Sequence, residues 1–385
     1  MSAKGFHDPI AGQQSLIGVG QLKILLAIIF VLIMSLAPAL AAPKGDKGNG
    51  GGKGGGNGGA AASVEAALGF IEAQMAPSGL VDSFVEDNAD YSYTYDNALA
   101  AMAFISAGNL SAASTVLAGV AAIEAEADGG FLHRYSASDG GSAYGLPGVG
   151  HNAYLLQSFV LYRMASDDSR YDSLSMALAD YLLAHQQNDG GLVGRAGVSW
   201  KSCENNLGAY SALHNLGTVL ADPILLAKAE FVRTFIVDEC WDGDRFLTGE
   251  NDPMIVTDVQ ALGALVLGAG YTAGAYWVEE HTQTTRRYKG RKTITGFDLN
   301  TDRDTVWVEG TLQQALAFMT AGDQQRADNF KQEAEKLFQS SGALWQASNA
   351  GTSGFGDTFM PWQAIAPTAW YVFLSLQDNV LETLP

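Results

Sequence analysis

The chain has 385 residues and carries 41 acidic against 22 basic side chains, a net charge of −19. From Ala61 onward 17 basic residues face 39 acidic ones, which argues against a nucleic-acid partner, because that binding rests on a net positive surface. The length suits one large domain or two ordinary ones and needs no staple to build a core.

At the N-terminus, ILLAIIFVLIMSL (24–36) is an apolar run preceded by Lys23 and followed by Ala39-Leu40-Ala41, a small-x-small cleavage pattern. Residues 1–41 read as a secretory signal with a long n-region, which predicts a secreted or periplasmic protein. The other reading is an uncleaved membrane anchor, since the run extends to Ala42. Residues 42–60, APKGDKGNGGGKGGGNGGA, hold no large apolar side chain and read as a flexible linker. The folded domain is therefore expected over residues 61–385.

Within it, six stretches are apolar on every face and so call for burial on every face. They begin at Asp96, His151, Glu204, Asp258, Glu309 and Pro367, with spacings of 55, 53, 54, 51 and 58 residues, the mark of a repeat. Between them run amphipathic helices with one apolar stripe: Val64, Leu68, Ile71 and Met75; Leu225, Ala229, Val232 and Ile236; Ala327, Phe330, Ala334 and Leu337. Weaker candidates occupy 111–126, 171–186 and 273–281. Ser63 reads as the cap of the first, and Asp222-Pro223 as a cap followed by proline at the first helical position. Six buried helices alternating with six half-buried ones predict an all-α double ring of αα-hairpins, the segment from Ser63 packing beside the last repeat to close the circle.

All six inner helices then start on one face. The long connections, which usually carry function, lie there too and include DGGF (128–131), NDGGL (188–192), WDGDRF (241–246) and GFDLNTDRDTVW (296–307). A single acid at a helix head is an ordinary dipole partner. Four acids, Asp96, Glu204, Asp258 and Glu309, turned with His151 toward one axis make a like-charged cluster that is costly unless it is used. Aromatic side chains flank it: Tyr93, Tyr95, Trp200, Trp307, Trp362 and Trp370. Flat apolar faces among hydrogen-bonding acids suit the faces and hydroxyls of a sugar.

The six-unit layout, with acids and aromatics in TYDNALA, WKSCENN and DTVWVEG, resembles the six-hairpin (α/α)6 glycosidases and, more loosely, related epimerases, lyases and terpene-cyclase toroids. The resemblance covers nearly all of residues 61–385 in architecture and assigns no particular family. It implies an (α/α)6 barrel with a carbohydrate-active cleft at the inner-helix N-termini. Glycoside hydrolysis needs a protonated and an ionised carboxyl group. Inner helices about 8 to 10 Å apart favour the wider, inverting separation. Glu204 is expected as the acid, Glu309 or failing it Asp258 as the base, and Asp96 as a third candidate. Lys201, His151, Asn205 and Asn206 would bind hydroxyls.

Two other readings stand beside this one. A polysaccharide lyase on the same fold would draw on Tyr93, His151 and Asn205, a sugar epimerase is the other enzyme of that fold to weigh, and a non-catalytic glycan-binding protein would need only the aromatics. No GxSxG elbow appears, and no CxxC or HExxH spacing, so neither a serine nucleophile nor a metal or other cofactor is expected. Cys203 and Cys240 are expected to pair in a disulfide, and the chain to work as a monomer on an oligo- or polysaccharide. A strongly anionic substrate would need a basic patch, for which RRYKGRK (286–292) is the one dense candidate; that run reads as a solvated loop.

Overall fold

The computed structural model describes residues 62–385 apart from Asn88, Glu124, Ala127, Ser142, Ala143, Asn251 and Pro253. The signal and linker readings lie outside these residues. Twelve α-helices run through the described part: α1 (Val64–Ala73), α2 (Thr94–Ser106), α3 (Leu110–Ala121), α4 (Val149–Ser166), α5 (Asp172–Ala184), α6 (Cys203–Val219), α7 (Pro223–Phe235), α8 (Asp258–Leu267), α9 (Ala273–Thr282), α10 (Val308–Thr320), α11 (Gln324–Glu335) and α12 (Ile365–Leu376). Among the described residues no helix is long and apolar enough to cross a membrane.

The even-numbered helices are the apolar ones. In α2, every residue from Asp96 to Phe104 is buried, and in α12 every residue from Ile365 to Leu374. Each even helix packs on the next, α2 on α4, α4 on α6, α6 on α8, α8 on α10, α10 on α12, and α12 returns to α2. Each odd helix packs outside an even one, α1 on α12 and the others on the helix preceding them. The chain is thus mostly helical, with the packing circuit of an all-α toroid. The outer helices bury one stripe only, Leu225, Ala229 and Val232 in α7 and Ala327, Phe330 and Ala334 in α11. Ser63 caps α1 by accepting from Ala66 N–H, and Asp222 caps α7 ahead of Pro223.

One hydrogen-bonding device recurs in all six units and fixes the register of the inner helices. Asn97, Asn152, Asn206, Gln260, Thr311 and Thr368 stand at the same place in the first turn. Each accepts the backbone N–H of a buried loop residue, respectively Val81, Phe131, Leu192, Phe246, Phe297 and Leu344, at 2.7 to 3.0 Å. Each also donates to the carbonyl four residues back, from Tyr93, Gly148, Ser202, Val256, Trp307 and Ala364. The clamp satisfies buried loop amides that would otherwise cost about 1 to 3 kcal/mol each and hangs every long loop from the head of its helix. A turn glycine with positive φ precedes the clamped residue in several loops, Gly79, Gly129, Gly190 and Gly342 among them.

Short hairpins decorate the head face. Strand β1 (Tyr91–Tyr93) pairs antiparallel with β2 (Arg134–Ser136), joining the first two long loops. Strands β3 (Gln283–Tyr288) and β4 (Lys292–Phe297) pair along their length, so the basic run at 286–292 is a β-hairpin and not an irregular loop. Its β-branched threonines favour a pleated surface, and Ile294 and Phe297 are buried where β4 lies on α10 and α11.

At the opposite end the C-terminal segment enters the ring. Val380 and Leu381 are buried, and inner-helix side chains hold the backbone around them: Gln157 donates to Val380 O, Ser211 to Leu381 O and Asn215 to Glu382 O, while Leu384 N–H donates to Asn215.

Candidate active site

Counting back from the clamp defines the first turn of every inner helix. Two residues before it stand Tyr95, Gly150, Glu204, Asp258, Glu309 and Ala366, and all six line one cavity of about 680 Å³ at the head end. One residue before it stand Asp96, His151, Asn205, Val259, Gly310 and Pro367, of which only the first three reach the cavity. The sequence spacing makes the polar heads equivalent, and the structure corrects this: Glu204, Asp258 and Glu309 share one level on three consecutive inner helices, and Asp96 and His151 sit one residue later. The small residues at the shared level make room. A Cβ on Gly150 would fall 2.2 Å from Asn205 Oδ1, and Ala366 on α12, between α10 and α2, leaves Tyr95 free to reach Glu309.

The acids are enclosed, and enclosure governs their protonation. Burial raises Glu204 to about 8, helped by the charges of Asp258 and Glu309. Burial likewise raises Glu309 to about 8, against a hydrogen bond from Tyr95 and with Asp96 and Asp258 adding to the rise. Asp96, 5% exposed, is raised by burial to about 7. Asp258 rises least, to about 6, because the Val259 N–H at 2.7 Å holds its carboxylate against the desolvation. Glu309 Oε1 accepts from Tyr95 Oη at 2.6 Å and from Gln313 Nε2 at 3.2 Å, and Trp370 Nε1 donates to Tyr95 Oη at 3.3 Å. Among the described residues no side chain or backbone group donates to Glu204.

Of the residues singled out from the sequence, Tyr93, Tyr95, Asp96, His151, Glu204, Asn205, Asp258, Trp307, Glu309 and Trp362 line the cavity. Four do not. Trp200 is 40% exposed on the far side of the loop, its indole against Gly249. Lys201 is drawn away by two carboxylates, Asp189 and Glu250, which it ion-pairs. Asn206 is a loop clamp with no donor to spare for a ligand. Trp370 is fully buried and supports Tyr95 from behind. His151 keeps a place at the wall, but burial lowers it to about 4 and its Nε2 lies 3.0 Å from Phe131 O, so it is a neutral ring that braces the loop. Cys203 and Cys240 are joined, which ties the head of α6 to the end of the outer helix behind it.

The cavity also holds residues that the sequence did not single out. Tyr154, 2% exposed, meets Tyr95 edge-on at 4.7 Å. Burial raises its hydroxyl well above the ordinary value, and Glu204, Glu309 and Asp258 all add to the rise. In HNAYLLQSFVLY it is indistinguishable from wall residues. His133, Arg134, Asp357 and Phe359 come from loops, where no periodicity announces them. Phe359 stacks on Trp307 at 5.5 Å.

Among the described residues one group has ligand atoms close enough to share a metal ion, Asp298, Asp302 and Asp304. It belongs to the loop before α10, and none of its members lines the cavity. Asp298 is buried and already accepts the N–H groups of Leu299 and Thr305.

No protein-family model and no curated protein sequence matches the chain. Solved structures do. A glycosidase variant in complex with glucose aligns with a TM-score of 0.63 at 13% identity over 84% of this chain and 96% of that one. A sugar epimerase from a ruminal bacterium aligns with 0.62 at 11%, over 80% and 95%, and an alpha-amylase from Clostridium perfringens with 0.57 at 9%, over 82% and 96%. At these identities the likeness is one of fold: the chain has the mostly helical fold that these proteins share.

Proposed function

We propose that residues 61–385 form a six-hairpin (α/α)6 barrel that hydrolyses glycosidic bonds of an oligo- or polysaccharide, by inversion, with a pair of carboxyl groups from neighbouring helix heads. One observation carries the reading: Glu204, Asp258 and Glu309 share a level of the ring and face one cavity, where burial raises all three and the Val259 N–H holds Asp258 lowest. Glu204, raised to about 8 and without a donor among the described residues, keeps its proton near neutral pH and is the general acid. Asp258, the least raised of the four, is ionised there and is the general base on the adjacent helix. The sequence points to Glu309 as the base, but Tyr95 and Gln313 occupy its Oε1, and it serves better as a ligand for sugar hydroxyls or as the alternative base. Adjacent helices roughly 8 to 10 Å apart leave space for the attacking water of an inverting enzyme. Tyr93, Trp307, Phe359 and Trp362 offer the apolar faces.

The proposal extends to the rest of the chain: residues 1–41 export it, residues 42–60 are a linker, and the enzyme acts alone outside the cytoplasm. Incubating the full chain with a glycan panel and following the products by NMR tests the chemistry. A released sugar whose first-formed anomer is opposite to that of the substrate supports it. Products that absorb near the ultraviolet edge would mark a lyase. An isomeric product with no bond cleaved would mark an epimerase, for which the paired rings of His133 and His151, 5.5 Å apart, supply the specific ground.

A further inference from the structure

Arg134 is the one lysine or arginine among the described residues lining the cavity. Its guanidinium lies over the ring of Tyr91 at 4.0 Å, with Tyr144 at 5.2 Å and Tyr93 at 5.6 Å. Its Nη1 donates to Tyr93 Oη at 2.9 Å. The β1–β2 pairing, in which Arg134 stands opposite Tyr93, holds backbone and side chain together, and Tyr144 bonds the Arg134 backbone from the other side. In this acid-rich chain Arg163, Arg170, Lys201, Arg245, Arg326 and Lys336 each have a carboxylate within ion-pair distance. Arg134 has none among the described residues, although Asp87 is near enough to feel its charge.

We infer that Arg134 is an anion-recognition residue of the cavity, and that the sugar bound there carries a carboxylate or a sulfate; this rests on the carbohydrate reading above. The tyrosine rings crowd the guanidinium, and its N–H fork matches a two-oxygen anion. One edge donor is spent on Tyr93, and no further acceptor for the fork is present among the described residues. Arg303, also without a carboxylate partner among the described residues, spends its guanidinium on the Glu280 and His281 carbonyls, whereas Arg134 has only the Tyr93 hydroxyl. Of the six acids lining the cavity, Asp96, Glu204 and Glu309 are raised to about 7, 8 and 8 and are mostly uncharged at pH 6, which leaves Asp87, Asp258 and Asp357 as the remaining carboxyl groups an anion would meet. The basic run at 286–292, the candidate patch in the sequence, contributes nothing to the cavity lining; the cation there is a lone arginine that no local charge density reveals.

The test measures binding of glucose, glucuronic acid and glucose 6-sulfate to the full chain by ligand-observed NMR at pH 6, with Arg134→Gln and Arg134→Lys beside the parent and melting curves for all three proteins. The parent should favour at least one of the two anionic sugars over glucose about tenfold or more. Arg134→Gln should lose that preference, and Arg134→Lys, which keeps the charge without the fork, should retain part of it. The better of the two anionic sugars separates carboxylate from sulfate. No preference in the parent, or a preference that survives in Arg134→Gln, overturns the inference. If Arg134→Gln does not fold, an undiminished preference in Arg134→Lys overturns it, because loss of the fork must show. No binding of any of the three sugars overturns this inference and the carbohydrate reading together. An Arg134-dependent preference without turnover of any glycan overturns only the hydrolase reading.

Discussion

At the tail end of the inner-helix ring, Gln157, Ser211 and Asn215 are buried and each is bonded to the backbone of residues 380–384. At the head end, Glu204, Asp258, Glu309 and Asp96 are gathered about a cavity, and their desolvation is only partly offset by donors. Both ends put polar groups inside an apolar ring. The tail end uses neutral groups and gives them permanent partners from the chain itself. The head end uses ionisable groups and leaves room for a partner from outside. Burying a polar group costs free energy unless it is bonded, so ionisable groups left short of donors at one end mark the end where a ligand completes the set.

The sharpest way to break this contrast is to neutralise a head acid. Glu204→Gln keeps shape and should lower turnover by roughly a hundred- to ten-thousand-fold, the usual worth of a general acid, with a melting temperature no lower than the parent's. Asp258→Asn should do the same if it is the base. If Asp258→Asn keeps the parent rate and Glu309→Gln does not, the base is Glu309; parent rates in all three leave the acids as helix caps. Next in size is the disulfide beneath Glu204. Replacing Cys203 and Cys240 by Ser opens a link between residues 37 apart in sequence and should cost about 3 to 4 kcal/mol, read by urea unfolding, where an unchanged midpoint would show the bond to be dispensable.

The tail end supplies the converse. Asn215→Ala removes the donor to Glu382 O and the acceptor for Leu384 N–H, leaving buried backbone groups unmet. Stability should fall by about 2 kcal/mol while the rate constant on any substrate stays within twofold. A large loss of rate with little loss of stability would mean that the two ends are coupled and the contrast is false.

The ring was largely legible in the sequence because an inner helix buried on all sides leaves no polar face: stretches such as PTAWYVFLSL have no other place in a soluble fold, and their spacing counts the units. Ser63 and Asp222-Pro223 announced their helices by local chemistry alone. The register was not legible. One clamp position is filled by Asn, Gln or Thr, three residue types with one geometric task, and Asp96 and His151 are polar one place beyond the level that Glu204, Asp258 and Glu309 occupy. Trp200 and Lys201 looked like rim residues because they precede Glu204, yet loop contacts with Gly249, Asp189 and Glu250 turn them away. Arg134 reaches the cavity through pairing between two separate loops, which no local pattern encodes, and Phe359 through a short hairpin within the last long loop. Export and the linker concern residues outside the described part and stand on the sequence alone.

The smallest effect separates the two ends by pH. In the unfolded chain Glu204 ionises near the ordinary glutamate value of 4.5, and in the folded protein burial raises it to about 8. Between those values the folded state keeps a proton that the unfolded state has released, so stability falls as pH rises through the window. The contribution is fully favourable below about 4.5, is lost progressively toward 8, and is constant above. A Gln at 204 does not titrate. Glu204→Gln should therefore match the parent near pH 4.5 and exceed it at pH 8.5 by on the order of 1 to 2 kcal/mol, less than the full shift implies because the group borders an open cavity, or roughly 2 to 5 °C in melting temperature. Asn215→Ala, which removes no titrating group, should run parallel to the parent across the same range. Thermal melts of the three proteins at half-unit pH steps read both lines at once. A Glu204→Gln curve parallel to the parent would show that Glu204 is solvated in the folded state, and the head end would then lack the unpaid desolvation on which its assignment as the ligand-binding end depends.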